Sequence, residues 1–229
     1  MQIKDESFRN LYRSFIIVKS KEDAERQEQL FNIDSIDFDS IETELHNIPI
    51  ENEVNAMLLY PYIDHTAGMS FLVVATALLM DSEKAKIYNR KSFESLITIR
   101  KDAMNEKEFI YAENLMINND FELEKHVEYA NEITESYRKD LKLEAFRMLD
   151  LIDESRENDY PDDILVYFYR EGFNIEGMWV RGEELNEGYI TGTLLNQPNQ
   201  DFGISSGDKV KVILQEDGDD KIICVADLR

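Results

Sequence analysis

The residues able to do acid–base or metal chemistry are scattered along this chain. Its three histidines, His46, His65 and His126, stand in no HxH, HxxxH or HExxH spacing, so no metal site is expected. Asp64-His65 is the pair with the most catalytic character. Histidine is the commonest general base and a neighbouring carboxylate can orient it. The plainer reading is that Asp64 or Thr66 caps the element that follows. Gly68-Met69-Ser70-Phe71 lacks the second glycine of a nucleophile elbow, and Gly203–Gly207 has no Lys-Ser/Thr to make a phosphate loop. Glu216-Asp217-Gly218-Asp219-Asp220 lacks the spaced ligands of an EF-hand loop and reads as a hairpin turn. Asp34, Asp37 and Asp39 read as helix-start residues. No cofactor is expected.

Two residues are candidates for binding rather than catalysis. Trp179, the single tryptophan, lies two positions from Arg181, and strand alternation puts the two on one face with Met178 and Val180 on the other. Since Met178 and Val180 are both apolar, the expectation is Val180 inward and Trp179 partly covered. An exposed Trp–Arg pair would make a hot spot for a partner. A buried Trp179 would instead anchor a core.

At 229 residues the chain can hold one large or two small domains. Hydrophobic residues make up 43%, which supports a folded protein despite a formal net charge of −23. That charge argues against nucleic acid, whose binding draws on Lys and Arg clusters, and no basic run suggests a membrane patch. It is compatible with plain solubility, and also with an acidic face for a basic partner. A single cysteine, Cys224, excludes an internal disulfide and reads as a small buried hydrophobe. The N-terminus lacks the apolar run of a signal peptide, and the longest apolar stretch, Met69–Met80, is too short to span a bilayer. A cytoplasmic location is expected.

The elements that must position these residues follow from periodicity. Ser14–Lys19 reads as a short strand, and Lys21–Phe31 as an exposed helix capped by Ser20. A further helix is expected at Ser40–Asn47, ended by Pro49. Val54–Ile63 is apolar almost throughout, as a central strand is. Thr66–Met80 is apolar all round and predicts a buried helix. Ala85–Tyr88 and Phe109–Ile117 read as strands, with a helical turn at Ser92–Ile99. Lys125–Glu157 carries apolar residues at steps of three and four, over a length that predicts a break near Asp140.

Beyond the polar stretch Ser155–Pro161 the period changes to two. Ile164–Tyr169, Gly177–Arg181, Gly188–Leu195, Lys209–Leu214 and Lys221–Ala226 predict five strands separated by turn residues. The fold class expected is α+β: an N-terminal α/β sandwich over 1–124 with a mostly antiparallel sheet, a long connecting helix over 125–157, and a small antiparallel sheet or partly open barrel over 163–229.

Three segments stand in the order and rough spacing of a known family: Glu176-x-Met178-Trp179-Val180, Gly188-Tyr189-x-x-Gly192-Thr193-Leu194-x-Asn196-x-Pro198, and Gly207-Asp208-x-Val210. Over residues 125–215 the chain resembles the uncharacterised bacterial YegJ-like family. It departs at the end, where the family closes on a tryptophan-containing strand and this chain has Ile222–Leu228. The resemblance implies an accessory domain without known catalytic residues, in which Gly192, Gly207, Asn196, Pro198 and Asp208 are scaffold.

The expectation is therefore a non-enzymatic bacterial interaction protein that binds a protein partner of basic character, such as a toxin it neutralises. The alternative is a hydrolase or other small-molecule enzyme with a site near Asp64-His65 between the domains. A third reading is carboxylate mimicry of DNA along an extended helix.

Overall fold

The computed structural model describes residues 1–31, 48, 50–90, 96–138, 140–218 and 221–228. The helix expected at Ser40–Asn47, together with His46, Asp34, Asp37 and Asp39, lies outside them. The chain divides into two compact units, Met1–Glu135 and Ser136–Arg229.

The first unit is built on a seven-stranded sheet. Its strands are β1 (Ile16–Lys19), β2 (Ala56–Asp64), β3 (Gly68–Leu79), β4 (Lys84–Ile87), β5 (Thr98–Arg100), β6 (Phe109–Tyr111) and β7 (Met116–Ile117). They run in the order β6-β1-β2-β3-β4-β7, with β5 paired to β3. The two edge strands come from one short segment, joined only by a 3-10 turn at Ala112–Asn114. Both edges must therefore lie within reach of one loop, so the sheet curls into a half-barrel. The single strand expected at Phe109–Ile117 is thus two strands on opposite edges. Of the helical turn expected at Ser92–Ile99, residues 92–95 are outside the described part, and Thr98 and Ile99 are in β5.

The buried helix expected at Thr66–Met80 is instead β3, the longest strand of this unit. It forms a hairpin with β2, from Ala56↔Ala77 to Asp64↔Gly68. The physical reason is burial on both faces. Met69, Phe71 and Val73 join Met57, Leu59 and Ile63 in one core with Ile3, Phe8, Leu11, Phe31 and Met104. Leu58, Tyr60, Leu72 and Val74, on the opposite face, are equally buried. A strand covered on both sides loses its alternation and looks like a helix apolar all round.

Helix α1 (Phe8–Leu11) is capped by Ser7, whose Oγ accepts from Arg9 N. Helix α2 (Lys21–Phe31) begins after Ser20, as expected, but it is half-buried rather than exposed, with Ala24, Gln27, Glu28, Leu30 and Phe31 covered. Helix α3 (Leu123–Glu135) belongs to this unit and buries His126, Tyr129, Ala130 and Thr134. The stretch expected as a long helix over 125–157 is thus interrupted. A 3-10 turn at Ser136–Arg138 follows α3, and Asp140 then caps α4 (Leu141–Arg147) by accepting from Lys142 N and Leu143 N. A further 3-10 turn covers Asp150–Ser155.

His126 has no solvent exposure, its Nδ1 lies 2.8 Å from the Glu122 carbonyl, and its ring packs on Phe121. Burial lowers its pKa below 6.5, helped by Arg90 and Lys125 and opposed by Glu122. The native state therefore excludes a proton that the unfolded chain binds. Its contribution to stability is complete above 6.5 and is lost as pH falls through the window below that value. The first unit's melting temperature should drop from pH 7.5 to about pH 5.5 in the wild type, and less in His126→Gln, when followed by circular dichroism. Equal drops in both proteins would contradict this.

The second unit is a five-stranded barrel. Its strands are β8 (Asp163–Phe168), β9 (Glu176–Asn186), β10 (Tyr189–Leu194), β11 (Lys209–Asp217) and β12 (Lys221–Ala226). Each pairs antiparallel with the next, and β12 returns to β8. An odd number of up-and-down strands leaves the first and last pointing the same way, so the closing seam is parallel, Cys224↔Val166 and Val225↔Tyr167. The small antiparallel sheet or partly open barrel expected here is a barrel that closes fully. Ile164, Val166, Phe168, Val180, Ile190, Leu194, Val212 and Cys224 fill its interior. Phe146 of α4 enters that core, so it is α4 that covers the barrel.

Candidate functional site

The positions expected to do chemistry are placed in structural turns. Asp64 ends β2, and its Oδ1 accepts from Thr66 N (2.9 Å), Thr66 Oγ1 (2.9 Å) and Ala67 N (3.1 Å). Arg100 lies 3.5 Å from Oδ2. Burial by itself would raise the Asp64 carboxyl, but these hydrogen bonds and the guanidinium outweigh it and hold the group below its ordinary value. Gly68 closes the turn with φ 76°, the left-handed geometry that a three-residue hairpin loop requires. Asp64 and Thr66 therefore cap a hairpin, not a helix. His65 sits half-buried in that turn. Among the described residues no cluster of three or more His, Cys, Asp or Glu could hold a metal, and no helix is long and apolar enough to cross a membrane.

Met178 and Val180 point into the barrel, and Trp179 and Arg181 face outward, half-covered. Arg181 is fixed by a two-point ion pair, Nε to Asp163 Oδ1 at 2.7 Å and Nη2 to Oδ2 at 3.0 Å. Trp179 N donates to Asn196 Oδ1 (2.7 Å), and Leu195 N donates to the Trp179 carbonyl (2.9 Å). Glu176 accepts from Asn199 N and Gln200 Nε2, so the Asn196–Gln200 turn is strapped to the start of β9. A polar hollow of about 430 Å³ lies here, and much of its hydrogen-bonding capacity is used within the fold.

The outward face of the barrel continues from Trp179 across the seam. Register places Trp179 opposite Leu165, Gly177 opposite Tyr167, and Tyr167 opposite Val225. Val225 then pairs with Ile213, Ile223 with Gln215 and Lys221 with Asp217. Outward positions of a solvated antiparallel strand are normally polar. Here Leu165, Tyr167, Ile223 and Val225 are apolar, while their inward neighbours Ile164, Val166 and Cys224 are apolar as well. β8 and β12 are thus apolar on both sides although only one side meets the core.

A groove of about 600 Å³ lies on this face, lined by Tyr167, Tyr169 and Ile175 on one side and by Ile223 and Val225 on the other, with Gln215, Asp217 and Lys221 at its end. Tyr169 is 59% and Ile175 64% exposed, large values for such side chains. Tyrosine offers a wide apolar surface with one polar tip and few torsions to immobilise, which is why it recurs in binding hot spots. Lys221 is paired with Glu154 at 2.6 Å. Sequence reasoning singled out Trp179 on this face and missed the rest. The signal was present in the unbroken apolar runs Ile164–Tyr169 and Ile222–Ala226.

The scaffold role expected for the shared motif residues agrees with their geometry. Gly207 has φ 92° before β11, and Asp208 Oδ2 accepts from Ser205 N in the same turn. Gly192 acts differently, allowing close approach of β9 rather than a left-handed backbone.

Residues 120–227 match the model of a family described as an uncharacterised protein conserved in bacteria, DUF2314. The resemblance read from residues 125–215 thus holds for the C-terminal part, and extends through the terminal strand where the chain was expected to depart. No curated protein and no solved structure matches the chain.

Proposed function

We propose that this is a non-enzymatic interaction protein of the bacterial cytoplasm that binds a basic protein partner through the outer face of its C-terminal barrel. The observation that carries the reading is the exposed apolar groove formed by Tyr167, Tyr169, Ile175, Ile223 and Val225. A contiguous apolar patch rimmed by polar groups is the usual mark of an interaction surface. The excess of 48 Asp and Glu over 25 Lys and Arg supports a basic partner, favours fast encounter with it, and disfavours nucleic acid and anionic lipid. Neutralising a basic toxin falls within this reading.

The test is photo-crosslinking in bacterial cells with a photoreactive phenylalanine in place of Tyr169, and in place of exposed Glu187, at the tip of the β9–β10 hairpin, as control. A discrete adduct to another protein is expected at Tyr169 and absent at Glu187. Identical patterns at both positions would count against the barrel face.

A further inference from the structure

We infer that the groove takes an extended segment of its partner in which alternate side chains are apolar and the flanking residues are lysine or arginine. This rests on the reading above and narrows it. Tyr167 pairs with Val225 across the parallel seam, Ile223 lies two residues before Val225 at the level of Leu165, and Tyr169 lies two residues beyond Tyr167, so apolar side chains follow one another along the seam at steps of about 6.6 Å. That is the repeat of like-facing side chains in an extended chain, so successive apolar side chains of such a segment meet successive rungs of the groove. A helix repeats like-facing side chains about 6 Å apart but turns them by about 40° at each such step, so it meets successive positions along the seam less squarely than an extended chain does.

The charges at the groove choose the flanks. Lys221, the one cation among the described residues that line it, stands between Glu154, 2.6 Å away, and its cross-strand neighbour Asp217. Arg181, further along the same face, is held by both oxygens of Asp163. Lys221 and Arg181 are thus matched by the fold's own carboxylates, and Asp217 adds negative charge at the groove's end. A second copy of this chain is disfavoured as the occupant, since it would bring the same net charge of −23 to an identical patch.

The experiment uses the full chain and three fluorescein-labelled nonapeptides, read by fluorescence anisotropy at about 50 mM and about 200 mM salt. One peptide alternates Val and Phe with Ser and ends in Lys-Arg pairs. The second has Ser in place of Val and Phe. The third has Glu in place of Lys and Arg. The first should bind in the micromolar range and more weakly at the higher salt, with the other two at least about tenfold weaker. Tyr169→Ser, Ile223→Ser and Asp217→Lys, all surface changes, should each weaken the first peptide severalfold with circular dichroism unchanged.

Equal binding of the Ser-substituted peptide would reduce the effect to bulk charge and overturn the inference. So would binding indifferent to Tyr169→Ser, or a dimer in analytical ultracentrifugation that this variant dissolves. Absence of peptide binding while the Tyr169 cross-link persists in cells would remove the extended basic–apolar segment and leave the protein-binding reading standing. Absence of both would remove the two together.

Discussion

Arg147→Met should destabilise the C-terminal unit by about 3–5 kcal/mol, the cost of leaving a buried carboxylate without its partner. Arg147 has no solvent exposure and Asp162 only 2%. The guanidinium reaches Asp162 with two bonds, Nε to Oδ1 at 2.9 Å and Nη2 to Oδ2 at 2.7 Å, while Nη1 donates to the Tyr137 carbonyl at 2.9 Å and to Glu144 Oε1 at 2.7 Å. Asp162 is also part of the backbone frame, since its carbonyl accepts from Gly182 N at 2.7 Å. One side chain thus ties the 3-10 turn before α4, α4 itself and the start of β8. Asp162→Leu alone should also be damaging, because it removes two of the buried guanidinium's bonds and leaves those to Glu144 and the Tyr137 carbonyl. Arg147→Met with Asp162→Leu should recover much of the loss, since apolar pairs often replace buried ion pairs at little cost. Urea denaturation followed by near-ultraviolet circular dichroism checks this, with Trp179 as the reporter. A double variant as weak as the sum of the singles would show that the pair is not the unit of stability.

Substitution of the packed glycines should have a similarly large effect, in an order that backbone angles alone would not suggest. A Cβ on Gly192 would lie 2.5 Å from the Arg181 carbonyl oxygen and 2.6 Å from Val180 Cγ1. The oxygen is backbone held in the β9–β10 ladder, where the register already shifts between Thr191 and Gly192, so the contact is relieved only by parting the strands. A Cβ on Gly182 would fall 2.2 Å from Phe146 Cζ, and that ring is itself fully buried with Arg156 stacked 4.5 Å away. Gly192→Ala and Gly182→Ala should each cost about 3 kcal/mol, as strained overpacking does. Gly203→Ala should cost only about 1–2 kcal/mol, because φ is 80° but nothing lies within 4 Å of the new carbon. Phe146→Leu should partly rescue Gly182→Ala and leave Gly192→Ala unchanged. Melting temperatures of the five proteins give the ranking. A Gly203 variant as weak as the Gly192 variant would show that left-handed geometry, not close packing, sets the cost.

Local sequence signals specify the strands of the C-terminal barrel most completely, and also β1, α2, β2 and β4 of the first unit. Turn residues at Asn186–Gly188 and Ser206–Asp208, with period-two stretches between them, specify strands locally, and all five were legible, although β9 runs on to Asn186 rather than ending at Arg181 and β11 to Asp217 rather than Leu214. A break near Asp140 was legible from the length of the periodic stretch, and the structure places Asp140 there as the cap of α4. The alternation around Trp179 also showed which way Val180 must point.

Other elements depend on contacts between segments distant in the chain. Residues 66–80 carry no period because β3 is covered on both faces, and a run of a dozen apolar residues does not say whether neighbouring strands or helices cover it. The division of residues 109–117 between two sheet edges depends on partners far away in sequence, β1 for one part and β4 for the other. The groove has the same origin. Leu165, Tyr167, Ile223 and Val225 are of core type in the sequence, where Ile164–Tyr169 and Lys221–Ala226 read only as period-two strands. Closure of the barrel through the parallel seam then covers one side with the core and turns the other outward, so residues of core type form the surface proposed here to bind.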